Sequence, residues 1–252
     1  MEVPDTMTHW LTTGASLAVL CCFGLAQEPA RSAAPPVASI VEAVEKAQAG
    51  LRPESSYRVI REYRLFSANP SKADSDVVAE VDFRLPAKKD YRIQKSSGSE
   101  RGQQVVRRVL DHEVEAASNG NQTRIALSRE NYEFTYVGET ILDNQPCYVL
   151  RLMPKRNEKD LISGEAWIDK RSFFVRQIEG EAAKTPSWWL RKVRVKLAFA
   201  DFDGTWLQTS MEAVADVRIA GLHTLTSRIL DYQSIDEVAS TTIQVPRPNR
   251  KP

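Results

Sequence analysis

The stretch TPSWWLRKVRVKLAF, residues 185–199, decides the fold class. After Trp188 and Trp189 its residues alternate. Val193, Val195, Leu197 and Phe199 share one side, and Lys192, Arg194 and Lys196 share the other. Successive side chains on a strand point to opposite faces, so a period of two predicts a strand with one dry face and one basic, wet face. The alternation recurs elsewhere. Val77, Ala79, Val81, Phe83 and Leu85 oppose Glu80, Asp82 and Arg84, and Tyr132, Phe134 and Tyr136 oppose Asn131, Glu133 and Thr135. Leu207, Met211, Ala213, Ala215, Val217 and Ile219 oppose Gln208, Ser210, Glu212, Asp216 and Arg218.

This pattern predicts strands near 57–66, 77–86, 89–95, 131–137, 146–153, 163–169, 173–180, 190–202, 206–219 and 222–232. Turn chemistry separates many of them: LDNQP at 142–146, DKRS at 169–172 and DFDGT at 201–205. Helical spacing is confined to two segments. Val37, Ile40, Val41, Val44 and Ala47 form one stripe, ending at Gly50. Val105, Val106, Val109, Leu110 and Val114 form another over 101–117, with Arg107, Arg108, Glu113 and Glu115 expected outward. About ten strands with short turns and two helices imply a mainly β (α+β) protein. The expected architecture is a curled antiparallel sheet, or incomplete β-barrel, with two covering helices too small to cover the apolar face completely.

Charge and motifs remove several functions. The chain carries 34 basic and 33 acidic side chains, a balance unlike the basic footprint of a nucleic-acid binder. It has no GxGxxG, no P-loop and no GxSxG elbow around Ser99, Ser118 or Ser163. DHEVE at 111–115 gathers acids beside His112 but is not HExxH, and it reads as a solvated helix face. No cofactor, no metal and no enzymatic activity are therefore expected. Cys147 lies in the alternating QPCYVLRL and reads as a buried, inert thiol. NQT at 121–123 matches a glycosylation acceptor.

The N-terminus reads as an export signal. Residues 11–26, LTTGASLAVLCCFGLA, form an uncharged apolar core, and Ala26 supplies a small residue before Gln27. MEVPDT is acidic for a signal's first residues, which suggests that translation begins at Met7. Cys21 and Cys22 follow AVL, which lacks the small residue expected before a lipidated cysteine. The expected organisation is a signal peptide at 1–26, a flexible tether at 27–37, one domain at 38–238 and a disordered basic tail at 239–252.

The order of helix, three strands, helix and long antiparallel meander resembles the LolA/LolB-like superfamily of outer-membrane lipoprotein-sorting proteins. The resemblance covers about 38–235 and rests on LDNQPCYVLRLMPK (142–155), GEAWIDKRSFFVRQIE (164–179) and DGTWLQTS (203–210). It implies an incomplete barrel holding acyl chains of lipid or lipoprotein in an apolar interior. The implied role is a monomeric periplasmic carrier or binding protein, transporting lipid without catalysis. The alternative is an envelope sensor or scaffold that recognises another protein. On this reading Val81, Phe83, Leu85, Val193, Val195, Leu197, Phe199, Leu207 and Met211 line the cavity. N-terminal sequencing of the exported form checks the first expectation: it should begin near Gln27, and an intact start recovered in the membrane pellet would overturn it.

Overall fold

Alternating strands joined by tight turns pair first with their chain neighbours, and the structure follows that rule with one exception. The computed structural model describes residues 35–51, 55–67, 69–118 and 122–235. Helix α1 (Val37–Gly50) leads into β1 (Ser56–Phe66), β2 (Ser75–Arg84) and β3 (Lys88–Gly98). Helix α2 (Glu100–Ser118) and the single turn α3 (Gln122–Ile125) follow. The meander then runs through β4 (Tyr132–Leu142), β5 (Gln145–Pro154), β6 (Ile162–Asp169) and β7 (Val175–Ala182). It ends with β8 (Leu190–Phe202), β9 (Thr205–Val217) and β10 (Gly221–Ile235). All ten predicted strands are present, and α3 is an addition.

The sheet order is β3-β2-β1-β10-β9-β8-β7-β6-β5-β4. The exception is the pairing of β1 with β10, which joins the first strand to the last and leaves β3 and β4 as edges. The sheet is therefore an open half-barrel, and α2 with α3 carries the chain from one edge to the other. Two hairpin tips take left-handed backbone as two-residue turns of this kind require: Asp143 and Asn144 (φ 48° and 61°), and Asp203 and Gly204 (φ 49° and 83°).

Each helix covers part of the inner face, one towards each edge of the sheet. Ile40, Val41 and Val44 of α1 bury against Leu150, Leu152, Ala166, Ile168 and Ile178 of β5–β7. Val106 and Leu110 of α2 bury against Tyr63, Val77, Ala79 and Val81 of β1 and β2. Close approach makes the second contact possible: a Cβ on Gly102 would lie 2.5 Å from the Ser75 Cβ. The α2 stripe is rotated from the expected one. Val106 is fully buried and Val105 half-buried, while Glu113 turns towards the sheet instead of outward.

An inner row runs Leu152, Gly164, Gly180, Val195, Ala213 and Leu225 across six strands. The two glycines in it face one another without room for a side chain. A Cβ on Gly164 would stand 2.0 Å from the Glu179 oxygen, and one on Gly180 would stand 2.3 Å from the Ser163 oxygen. The expected signal, the first residues of the tether, and the tail lie outside the described residues; the last tether position, Val37, begins α1. Among the described residues no helix is long and apolar enough to cross a membrane.

The helix assignment is testable by denaturation. Val106→Asp places an unpaired charge beneath α2 and should cost several kcal/mol, on the order of 3. Arg107→Ala, on the exposed side, should stay within about 0.5 kcal/mol of wild type. Equal urea midpoints for the two variants would overturn the assignment of faces.

Candidate functional site

Between the two helix-covered halves lie β8 and β9. Their inner residues pair as Val193 with Ala215, Val195 with Ala213 and Leu197 with Met211. All of these are half-buried, and apart from Leu190 no residue of β8 is fully buried. Leu197 and Phe199 lean on the α1-side core, and Leu207, Met211 and Ala213 lean on the α2-side core. Val193 and Val195 belong to neither. The result is an apolar strip along the middle of the sheet, flanked by two filled halves.

The nine expected lining residues divide accordingly. Val193, Val195, Leu197 and Met211 come together on the strip, whereas Phe199, opposite Gln208, and Leu207, opposite Ala200, lie beyond a register shift at its end. Val81 and Phe83 lie in the core beneath α2, where Phe83 stacks on Tyr57 with ring centroids 5.0 Å apart. Leu85 sits past the end of β2 and is exposed. Val81 and Phe83 are removed from the strip because α2 covers the β1–β3 side of the sheet, and Leu85 because it lies beyond the strand.

Two hollows lie elsewhere. One of about 480 Å³ separates the C-terminal half of α2 from the β5–β6 and β7–β8 loops, with His112, Arg124, Lys159, Asp160 and Lys184 on its walls. Another of about 570 Å³ is lined by Arg151, Glu165, Trp167, Glu179, Glu181 and Arg194. Neither is walled by Val193, Val195, Leu197 or Met211.

DHEVE does not converge on a common point. Asp111 accepts from the Tyr91 hydroxyl at 2.7 Å, and His112 Nε2 lies 3.3 Å from Asp160. Glu113 turns to the sheet, and no group of three metal-ligating side chains occurs among the described residues. Cys147 is fully buried on β5, and burial pushes its thiol up from the ordinary range. Asn121 of NQT lies outside the described residues.

Beneath α2 the apolar face contains charge that the sequence reading missed. Arg61 shares the inner face of β1 with Tyr57, Val59 and Tyr63 and is 7% exposed. Its Nη2 donates to the Gln208 carbonyl at 2.6 Å, tying β1 to β9 across β10. Glu113 of α2 accepts from the Tyr63 hydroxyl at 3.2 Å and from Lys89 Nζ at 2.9 Å. Burial works against ionisation of Glu113. The charges of Lys89 and Arg61 and the two hydrogen bonds outweigh it, and the carboxyl sits below the usual range. Burial also pushes the Tyr57 hydroxyl up to about 12 and carries that of Tyr63 further up. Glu113 is thus a charged pin between α2 and the sheet.

A carboxyl lowered by folding stabilises the native state above its unfolded value, and that contribution disappears as pH falls through the folded value. The urea midpoint of wild type should therefore fall more steeply between about pH 5 and pH 3 than that of Glu113→Gln. Parallel slopes would remove Glu113 from the acid response.

With this geometry in place, comparisons locate the chain among known proteins. A DUF1329 family protein from Desulfovibrio piger is 13% identical, with 81% of this chain and 95% of that chain covered at a TM-score of 0.41. A putative outer membrane lipoprotein-sorting protein domain from Vibrio parahaemolyticus is 12% identical, covering 79% and 94% at 0.41. A LolA superfamily protein from Nitrosomonas europaea is 12% identical, covering 81% and 95% at 0.37. All three likenesses are distant, and none assigns a ligand to this chain. No curated protein matches it. A family model described as "-like: Uncharacterized protein" matches residues 89–238, more than half of the chain, and the chain belongs to that family.

Proposed function

We propose that this chain is a periplasmic, non-enzymatic binding or carrier protein that holds an acyl chain of a lipid or lipoprotein along the strip of β8 and β9. One observation carries the reading: Val193, Val195, Leu197 and Met211 form an apolar row that neither helix fully buries, with Phe199 and Leu207 beyond a register shift at its end. From Val193 to Phe199 the row runs about 20 Å, long enough for much of an extended acyl chain. Each methylene removed from water contributes about 0.8 kcal/mol, so such a ligand is held without a polar contact. Ala213 and Ala215, opposite Val195 and Val193, keep the floor shallow on the β9 side. The export signal expected at 1–26 agrees with the compartment.

A fluorescent fatty-acid probe titrated into delipidated protein tests the reading. Wild type should bind it saturably. Leu197→Trp should weaken binding by about tenfold by filling the strip, a loss of about 1.4 kcal/mol, with the thermal midpoint retained. Lys196→Ala, exposed on the other face, should leave the affinity unchanged. Absence of saturable binding by wild type would overturn the carrier and favour a scaffold that recognises an envelope protein.

A further inference from the structure

The strip leads to an end of the sheet whose side chains neither core explains. Trp188 and Trp189 close the β7–β8 loop, and Ile219 and Leu222 belong to the β9–β10 hairpin tip. Trp188 is 83% exposed, Ile219 100% and Leu222 62%. The two segments are tied together by one backbone hydrogen bond and two from arginine side chains to backbone carbonyls. Arg218 donates Nε to the Trp188 carbonyl at 2.7 Å and its amide to the Trp189 carbonyl at 2.9 Å. Arg191 Nη2 donates to the Arg218 carbonyl at 3.2 Å. These bonds hold large apolar side chains out in water on a defined platform.

The surrounding charge is predominantly basic. Across 183–194 and 215–223 stand Lys184, Arg191, Lys192, Arg194 and Arg218 against Asp216 alone, although the whole chain carries 34 basic and 33 acidic side chains. Asp216 faces Arg191 at 3.8 Å, and Glu181 from β7 faces Lys192 and Arg194. The remaining bases are left in excess.

We propose that this tip docks the protein on a bilayer surface containing anionic lipid, with Trp188, Ile219 and Leu222 entering the headgroup region and the bases meeting lipid phosphates. Tryptophan carries an apolar body and one polar N–H, which suits it to the water–lipid boundary. Isoleucine and leucine supply apolar area below that boundary, and clustered Lys and Arg are attracted by the negative surface. A fluid interface fits this shape better than a protein does, because a side chain with 100% exposure offers no surrounding wall for a rigid partner to complement. The tip is also continuous with the strip: Leu190 pairs with Val217, and Val193 with Ala215 one step further in. Docking stands apart from the carrier reading, since it requires no bound acyl chain.

Co-sedimentation with vesicles tests it, using the protein with its native N-terminus in every variant. Wild type should bind vesicles of phosphatidylethanolamine and phosphatidylglycerol more strongly than vesicles of phosphatidylcholine, and added salt should weaken the preference. Trp188→Ser combined with Ile219→Ser should lower binding on the order of tenfold. Ile141→Ser, an equally solvent-facing change on β4, should not. The fatty-acid titration read without vesicles should be unaffected by the double variant, so loss of docking and loss of carriage register separately. Equal vesicle binding by wild type and the double variant would overturn the proposal. So would a wild type that ignores both vesicle types while a photo-cross-linker at position 188 yields only protein adducts.

Discussion

A sheet with one dry face must hide that face, and here the sheet is wider than its cover. Ten strands at about 4.8 Å spacing span about 48 Å, whereas two helices of about 10 Å diameter shield less than half of it. The helices do not share one half. α1 packs on β5–β7, and α2 packs on β1–β3, so the protein has two cores instead of one. What neither helix reaches is the middle of the sheet, and that geometric remainder is the strip. The candidate site therefore follows from an area mismatch more than from any individual residue.

Keeping the dry side inward depends on the outer side staying wet. Arg58 holds Asp82 through two hydrogen bonds of 2.7 and 3.0 Å, and Glu80 takes Arg92 and Gln94. Glu62 accepts from Arg228 across the β1–β10 seam at 2.7 Å. The bond from Arg58 holds the Asp82 carboxyl below its ordinary range. Pairs of this kind contribute only about 0–1 kcal/mol each where water reaches them. Their larger effect is on register, because a slip of one residue would turn each of these charges into the helix-covered face. The β1–β10 pairing needs such marking most, since no hairpin sets it.

Strand positions were legible because alternation is local, and all ten appear where period two placed them. Arg61 was legible by the same rule: it shares the parity of Tyr57, Val59 and Tyr63, and only its charge disguised it as a surface residue. Glu113 was not legible, since a helix stripe with valines at 105, 106, 109 and 114 allows a rotation of one position, and Gly102 against Ser75 settles which face goes down. The misplacement of Val81 and Phe83 has a tertiary cause. Their strand is as apolar as β8, but only the path of the chain from β3 to β4 determines that α2 lies over β1–β3 and leaves β8 uncovered.

The same path explains why the sheet stays open. Closing the barrel would require β3 to pair with β4, and both edges resist it. β3 presents Lys88, Lys89, Asp90 and Lys95, and charge on an edge strand opposes further pairing. β4 has a register shift between Tyr136 and Gly138, which breaks the even row of hydrogen-bonding groups that a new partner needs. Lys89 is also engaged by Glu113, so α2 is fastened to the edge it would have to leave. An open sheet whose edges refuse a partner retains the width that its helices cannot cover, and the strip remains available because the fold is prevented from completing itself.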